Sequence, residues 1–92
     1  MVAAFNDEEE VTATLRAVIA DVLGLDEARV SGFDESTPLF GALPEFDSMA
    51  VAGLLTELEE RLGILIEDHE VDAEMLETFG SLLSFLRIKA LR

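Results

Sequence analysis

The chain has 92 residues, half of them hydrophobic, and its 20 acidic and 6 basic residues give a net charge of −14. This length allows one domain with a small core, and the hydrophobic content is too high for a disordered chain. The charge opposes binding to nucleic acid or anionic lipid and favours basic protein partners, and no apolar run is long enough for membrane insertion. Because the chain has no cysteine, it can form no disulfide, and a cytoplasmic location is expected.

The first predicted element is an amphipathic helix over residues 7–23. Asn6 and Glu9 are expected to form a capping pair at its start, and Gly24 is expected to end it. The apolar residues recur at helical spacing and form one stripe for the core. They are Val11, Leu15, Val18, Ile19, Val22 and Leu23.

Residues 24–47 are predicted to be a long loop, because they contain both prolines and three of the six glycines. A long loop without structure is uncommon in a compact domain, so this segment is expected to pack across the helices, with one helical turn near residues 26–30. Its apolar anchors are Val30, Phe33, Leu39, Phe40, Leu43 and Phe46.

The clearest predicted helix covers residues 48–62 and ends at Gly63. Its expected inner face consists of Val51, Leu54, Leu55, Leu58 and Leu62. Residues 64–66 are apolar, but no partner strand is available to them, so they are interpreted as a connector.

A short helical turn is predicted at about residues 72–76, and Thr78 is expected to cap the last helix. The expected inward residues of that helix are Phe79, Leu82, Leu83, Phe85, Leu86 and Ile88. Together the elements predict an all-α fold: a small four-helix bundle with three longer helices and one short helix. Residues 1–92 are expected to form one domain, with fraying at residues 1–6 and 89–92.

The tripeptide Asp47-Ser48-Met49 is the candidate site for chemistry, since it opens the second long helix. Free backbone N–H groups and the positive end of the helix dipole make such a position suitable for a phosphate ester. Taken alone, however, the Asp-Ser pair is better explained as an ordinary helix cap.

A wider pattern changes that interpretation, because the chain resembles the acyl carrier protein family over roughly residues 8–88. In that family an Asp-Ser-Leu motif is followed by a Leu-Glu-Glu helix end, a glycine, a connector containing isoleucine, and a threonine before the last helix. The matching residues here are Asp47-Ser48-Met49, Leu54, Leu55, Leu58-Glu59-Glu60, Leu62-Gly63, Ile66 and Thr78.

The resemblance implies that a phosphopantetheinyl transferase attaches 4′-phosphopantetheine to Ser48, with help from Asp47. The arm would hold an acyl or aminoacyl cargo as a thioester, and the chain itself would be a carrier and not an enzyme. We expect a monomer without a metal site. The residues expected to bind acyl-loading and acyl-transferring enzymes are Met49, Glu57, Glu59 and Glu60, and the three glutamates are expected to meet basic surfaces on these partners.

The chain also departs from the fatty-acid carriers that it resembles. Those carriers usually have acids at the positions of Ala50 and Gly53, and a glycine-rich approach in place of residues 43–46. This difference favours a dedicated stand-alone bacterial carrier, such as those that accompany exosortase systems. The alternative function is an acidic helical interaction module without a prosthetic group. The single histidine, His69, is expected to be an exposed loop residue and not a ligand.

Overall fold

The computed structural model describes residues 8–91, which contain four α-helices and a 3₁₀-helix. Within this range there is no β-strand, and the all-α prediction is confirmed. Asn6 of the predicted capping pair, and the expected fraying of residues 1–6 and of Arg92, lie outside the described residues. The elements are α1 (Glu8–Leu23), α2 (Glu27–Ser31), α3 (Ser48–Leu62), the 3₁₀-helix (Asp68–Glu70) and α4 (Phe79–Ala90).

The helices pack around α1, which contacts α2, α3 and α4. Each long helix buries one apolar stripe, as the 3.6-residue periodicity predicts. Of the residues assigned to these stripes, Val22, Val51, Leu55 and Phe85 are only partly buried, and Ile88 is 72% exposed. The buried residues of the long helices are Val11, Leu15, Val18, Ile19, Ala20, Leu23, Leu54, Leu58, Leu62, Phe79, Leu82, Leu83 and Leu86.

The predicted helix ends are confirmed. Gly24 and Gly63 have φ angles of 69° and 65°, which lie in the left-handed region where glycine is favoured. Thr78 caps α4 by accepting a hydrogen bond from the Ser81 backbone N–H at 3.0 Å, and the Ser81 hydroxyl oxygen in turn accepts one from the Thr78 backbone N–H at 3.1 Å. This reciprocal pair is a capping box in which serine takes the usual place of glutamate.

The segment between α2 and α3 is packed, as predicted, because Phe33, Leu39 and Phe46 are buried. It is also hydrogen-bonded to the start of α4. The Leu39 N–H donates to the Glu77 carbonyl at 2.8 Å, and the Phe79 N–H donates to the Thr37 carbonyl at 2.8 Å. The helical turn predicted at residues 26–30 is α2. These contacts fix the approach of the chain to α3.

Arg16 on α1 contacts both α2 and α4. Its guanidinium lies 4.8 Å from the centre of the Phe79 ring and donates a hydrogen bond to the Val30 carbonyl at 2.7 Å. The Phe33 ring meets Phe79 edge-on at 6.1 Å. One side chain of α1 therefore connects α2 to α4.

The helical turn predicted at residues 72–76 is present as a single turn at residues 73–76, but it is not a helix. The 3₁₀-helix comes earlier, at Asp68–Glu70, where the Glu67 and Glu70 side chains form reciprocal caps. Residues 73–76 form a turn, in which the Asp72 carboxylate accepts a hydrogen bond from the Met75 N–H at 2.8 Å. This bond has the geometry of a helix N-cap, but only one turn follows it and no helix continues.

Replacing Gly80 with alanine is expected to destabilise the fold by about 1–3 kcal/mol, because the added Cβ would lie 2.6 Å from the Glu35 carbonyl oxygen. Gly53 is the matched control, since it is also helical but its Cβ would meet only Val22 at 3.5 Å. There alanine should stabilise α3 by about 0.5–1 kcal/mol through helix propensity. Urea unfolding of both variants measures the difference, and equal effects would contradict the close approach at Gly80.

Glu70 is expected to make stability depend on acid pH. Its pKa is lowered, first by the hydrogen bond from the Glu67 N–H at 2.9 Å and then by Lys89, whose Nζ is 2.9 Å away. The unfolded state therefore binds more protons in acid. The stabilisation is complete above the pKa of the unfolded chain and is lost as the pH falls through the folded pKa.

Melting temperatures of the wild type and of Glu70→Gln, measured from neutral to acid pH, test this expectation. The variant should show a smaller loss on acidification, because it has no proton to gain at this position. Glu74→Gln is the control, since Glu74 is exposed and its side chain bonds to no other described residue. If Glu70→Gln and Glu74→Gln follow the same pH curve, Glu70 has no special part in acid stability.

Candidate functional site

The site predicted at Asp47-Ser48-Met49 forms the start of α3. Phe46, just before it, is buried and anchors the chain. Asp47 is the N-cap residue with extended backbone, and its Oδ1 accepts a hydrogen bond from the Ala50 N–H at 2.9 Å. The interpretation of Asp47 as a helix cap is confirmed. The buried ring and the cap together hold the first turn of α3 in place.

Ser48 is the first residue of α3, and it is exposed. Within residues 8–91 its hydroxyl makes no hydrogen bond, so it is accessible for reaction. The backbone N–H groups of a first helical turn have no intrahelical acceptors, and the helix dipole is positive there. An ester-linked phosphate on Ser48 would therefore lie in favourable surroundings, and the residues present fit a phosphopantetheine group.

Two contacts position the chain segment that precedes Ser48. Glu45 forms an ion pair with Arg29 of α2, with 3.5 Å between Oε2 and Nη1. The Phe40 and Phe46 rings meet edge-on, with 5.8 Å between their centres. Phe46 is buried, whereas Phe40 is 38% exposed. The buried ring thus keeps an exposed ring close to the start of α3.

Met49 follows Ser48 and is 84% exposed. Its side chain is therefore open to solvent beside the candidate serine, as those of Leu65 and Ile88 are elsewhere on the protein. The structure thus brings three predicted site residues together at one helix start: Asp47, Ser48 and Met49.

The three glutamates predicted to bind partners lie in the second half of α3, and their surroundings differ. Glu57 pairs with Arg61 at 3.0 Å, and Arg61 also binds Asp21 of α1 at 2.8 Å. Glu59 accepts a hydrogen bond from the Ile66 N–H at 2.7 Å. Glu60 is exposed and pairs with none of the described cations. Of the three, Glu60 is the one whose carboxylate is not already held by the chain.

The bond between Glu59 and Ile66 was not expected from the sequence. It attaches the connector after α3 to the last turns of that helix, and the Glu59 carbonyl also accepts from the Ile64 N–H at 3.1 Å. No local sequence pattern predicts a side-chain bond across seven residues and a glycine. Glu59 therefore has a structural role in addition to the predicted one.

His69 lies exposed in the 3₁₀-helix, 3.6 Å from a Glu67 carboxylate oxygen. Over residues 8–91, no three histidine, aspartate or glutamate side chains are grouped closely enough to hold a metal ion. None of the helices in the same range is long and apolar enough to cross a membrane.

Comparison with known proteins connects this geometry to a family. The family model described as "Phosphopantetheine attachment site" matches residues 13–86. An acyl carrier protein of Thermotoga maritima is 27% identical over 81 residues, which cover 88% of this chain and 93% of the relative. An acyl carrier protein of an Exiguobacterium species is 28% identical over 82 residues, covering 89% and 96% of the two chains.

A solved structure agrees with these matches. The solution NMR structure of a holo acyl carrier protein from Nitrosomonas europaea has a TM-score of 0.77 and 38% sequence identity, and the match covers 87% of this chain and 94% of the other. The sequence matches and the structural match therefore indicate similarity to the same class of protein over nearly the whole chain.

A bundle whose second long helix starts at an exposed serine, matched by the family model over most of its length, is a phosphopantetheine attachment domain. Within that class, the chain belongs to the acyl carrier protein family. It functions as a carrier and not as an enzyme, and its prosthetic group is 4′-phosphopantetheine, which supplies a thiol for thioester formation. Carriers of this family interact with the enzymes of phosphopantetheinyl transfer and acyl handling. The prosthetic group excludes the alternative function, an interaction module without one.

Proposed function

We propose that Ser48 is the attachment residue and that the arm on it presents an acyl or aminoacyl thioester to partner enzymes. The observation that carries this proposal is a comparison of the five serines. The hydroxyls of Ser31, Ser36 and Ser81 are hydrogen-bonded within the chain, and Ser84 lies in the middle of α4. Ser48 alone combines exposure, an unbonded hydroxyl and a position at a helix start.

The chemistry of the rest of the chain supports this function. The chain has no cysteine, so the thiol of the arm would have no competitor for the acyl group within the protein. The Asp47 carboxylate lies directly beside the serine and is held by the Ala50 N–H at 2.9 Å. We expect it to assist attachment inside the transferase complex.

Partner enzymes are expected to approach α3 with basic surfaces, and the carrier would act as a cytoplasmic monomer. Glu60 is the carboxylate best placed to meet such a surface, with Glu57 beside Arg61 as a second contact. Exposed ion pairs are individually weak, at about 0–1 kcal/mol, but together they raise association rates. Glu59 would contribute charge while its Oε2 holds the connector.

The direct test is to incubate the purified chain with coenzyme A and a phosphopantetheinyl transferase, and to follow the intact mass. One adduct should appear, and peptide mapping should place it on the segment that contains Ser48. An adduct on another serine, or a chain that several transferases leave unmodified, would refute the assignment.

Asp47→Asn is expected to slow attachment of the arm while leaving stability nearly unchanged, because asparagine is as good an N-cap as aspartate but carries no charge. Asp47→Ala should slow attachment and also cost about 0.5–2 kcal/mol, since the bond to the Ala50 N–H is lost. Initial attachment rates and urea unfolding separate the two roles. If Asp47→Asn is modified as fast as the wild type, the charge has no part in attachment.

A further inference from the structure

We infer that Arg29 of α2 binds the phosphate of the arm on Ser48, and that it exchanges its present partner, Glu45, for that phosphate. The inference rests on the proposed attachment at Ser48 and adds a residue of this chain that would hold the base of the arm. The interaction is one between a guanidinium and a phosphodiester, a pairing for which arginine is well suited.

The first observation is the negative charge that already surrounds Ser48. Glu45 and Asp47 precede it in the chain, and the Asp47 carboxylate accepts the hydrogen bond from the Ala50 N–H at 2.9 Å. The start of α3 therefore already holds one anion, and the phosphate would be a second one at the same helix end. Because like charges at short range repel each other, a cation close to this position would stabilise the loaded carrier.

The second observation is that Arg29 is paired with the segment that leads to Ser48. Its Nη1 lies 3.5 Å from Oε2 of Glu45. Three residues of chain separate Glu45 from Ser48, a path of at most about 11 Å. The Phe46 N–H donates to the Leu43 carbonyl at 3.0 Å, so the chain turns just before α3. We therefore expect the long side chain that now meets Glu45 to reach a phosphate on Ser48.

The third observation is that the pair between Arg29 and Glu45 is weak enough to exchange. Its separation of 3.5 Å is longer than that of a strong charge-assisted hydrogen bond, which is about 2.7–2.9 Å. The two side chains are 47% and 38% exposed, and exposed pairs contribute little to stability. A phosphodiester offers the planar guanidinium two oxygens in matching geometry, so it is the better partner.

The other cations of residues 8–91 are engaged elsewhere. Arg16 is bonded to a carbonyl of α2 and lies over an aromatic ring of α4. Arg61 is in the last turn of α3, about 20 Å along the helix from its start. Arg87 and Lys89 are in the last turn of α4, where each pairs with a glutamate. None of these four cations is paired with the segment that leads into α3.

The test uses the full chain with the arm attached, prepared with coenzyme A and an excess of a phosphopantetheinyl transferase and checked by intact mass. Phosphorus NMR of the phosphodiester reports its surroundings directly. Arg29→Gln should shift this signal, and Arg29→Lys should shift it less, because the positive charge remains. Arg61→Gln is the matched control, since it removes a guanidinium far from Ser48, and it should leave the signal in place.

Melting temperatures before and after attachment give a second readout. The change on attachment should be about 2–5 °C more favourable in the wild type than in Arg29→Gln, the size expected for one exposed charged contact in a domain of this length. Glu45→Gln should gain more from attachment than the wild type, because it frees the guanidinium for the phosphate. A pair with a structural role alone would give both variants the same change on attachment as the wild type.

The outcomes separate this inference from the proposed function. If peptide mapping finds no arm on Ser48 of the wild type, both ideas fail. If Ser48 carries the arm but Arg29→Gln leaves the phosphorus signal and the melting difference unchanged, the inference is refuted and the attachment site stands. A signal that moves equally in Arg61→Gln also refutes it. A shift confined to the Arg29 variants, with a larger gain for Glu45→Gln, supports it.

Discussion

Ser48→Ala is expected to abolish attachment of the phosphopantetheine arm, and with it every acyl-carrying function of the chain. The substitution removes the one hydroxyl that is exposed, unbonded and located at a helix start. Stability should change by no more than about 0.5 kcal/mol, because the side chain is exposed and the Asp47 cap is unaffected. Intact mass after incubation with coenzyme A and transferase gives the result directly, and urea unfolding gives the stability.

The matched control is Ser84→Ala, which removes an exposed hydroxyl from the middle of α4. This variant should be modified at the wild-type rate. Ser48→Ala chain that still gains the full mass of the arm would show that another residue is the acceptor. Loss of attachment in both variants would indicate an indirect effect on transferase binding.

Leu58→Ala is expected to destabilise the protein by about 2–5 kcal/mol, the usual range for a buried leucine. Leu58 is fully buried in the second half of α3, which packs on α1. A small domain has a total stability of only about 5–15 kcal/mol, so this loss is a large part of the free energy of unfolding. The midpoint and slope of urea unfolding measure the change.

Two further variants serve as controls for Leu58→Ala. Leu65→Ala removes the same atoms from a residue that is 66% exposed and should change stability by no more than about 0.5 kcal/mol. Leu58→Met keeps the volume and should cost less than about 1.5 kcal/mol, which remains measurable if Leu58→Ala does not fold. Equal losses at positions 58 and 65 would mean that burial does not decide the effect.

The sequence predicts the long helices well because their signals are local. Apolar spacing, glycine after the last turn, and caps such as Thr78 all act within a few residues, and the structure follows them closely. The start of α3 at Ser48 and its end at Leu62 are as predicted. The short helix was harder to place, because in residues 67–76 the carboxylates of Glu67 and Asp72 compete for nearby N–H groups, and periodicity does not reveal which bonds form.

Burial within a stripe was predicted less well than the helices themselves. Ile88 and Phe85 have the spacing of core residues, yet Ile88 is exposed and Phe85 is only partly buried. The reason is that burial requires a neighbouring element opposite each position, and the hydrophobic pattern of one helix contains no information about where its neighbours end.

At the candidate site, too, the sequence predicts some features and only the structure reveals others. The sequence places Asp47, Ser48 and Met49 at a helix start, and the resemblance to carriers makes Ser48 the candidate for attachment. The structure adds that Glu59 holds the connector at Ile66 and that Arg29 compensates Glu45. The members of each pair are separated by a helix end or by a long stretch of sequence. Only the folded chain therefore reveals which carboxylates are free to meet a partner.

The amino-acid sequence by itself determined the helices, their caps, the acidity of the chain and the position of Ser48 at a helix start, because each depends on spacing, residue type or short-range hydrogen bonds. The tertiary structure decided how the long loop is held against α4, how closely Gly80 approaches Glu35, and which carboxylates near Ser48 are paired within the chain. Those properties arise from contacts between segments that the chain brings together only on folding, and their energies have no counterpart in any local pattern.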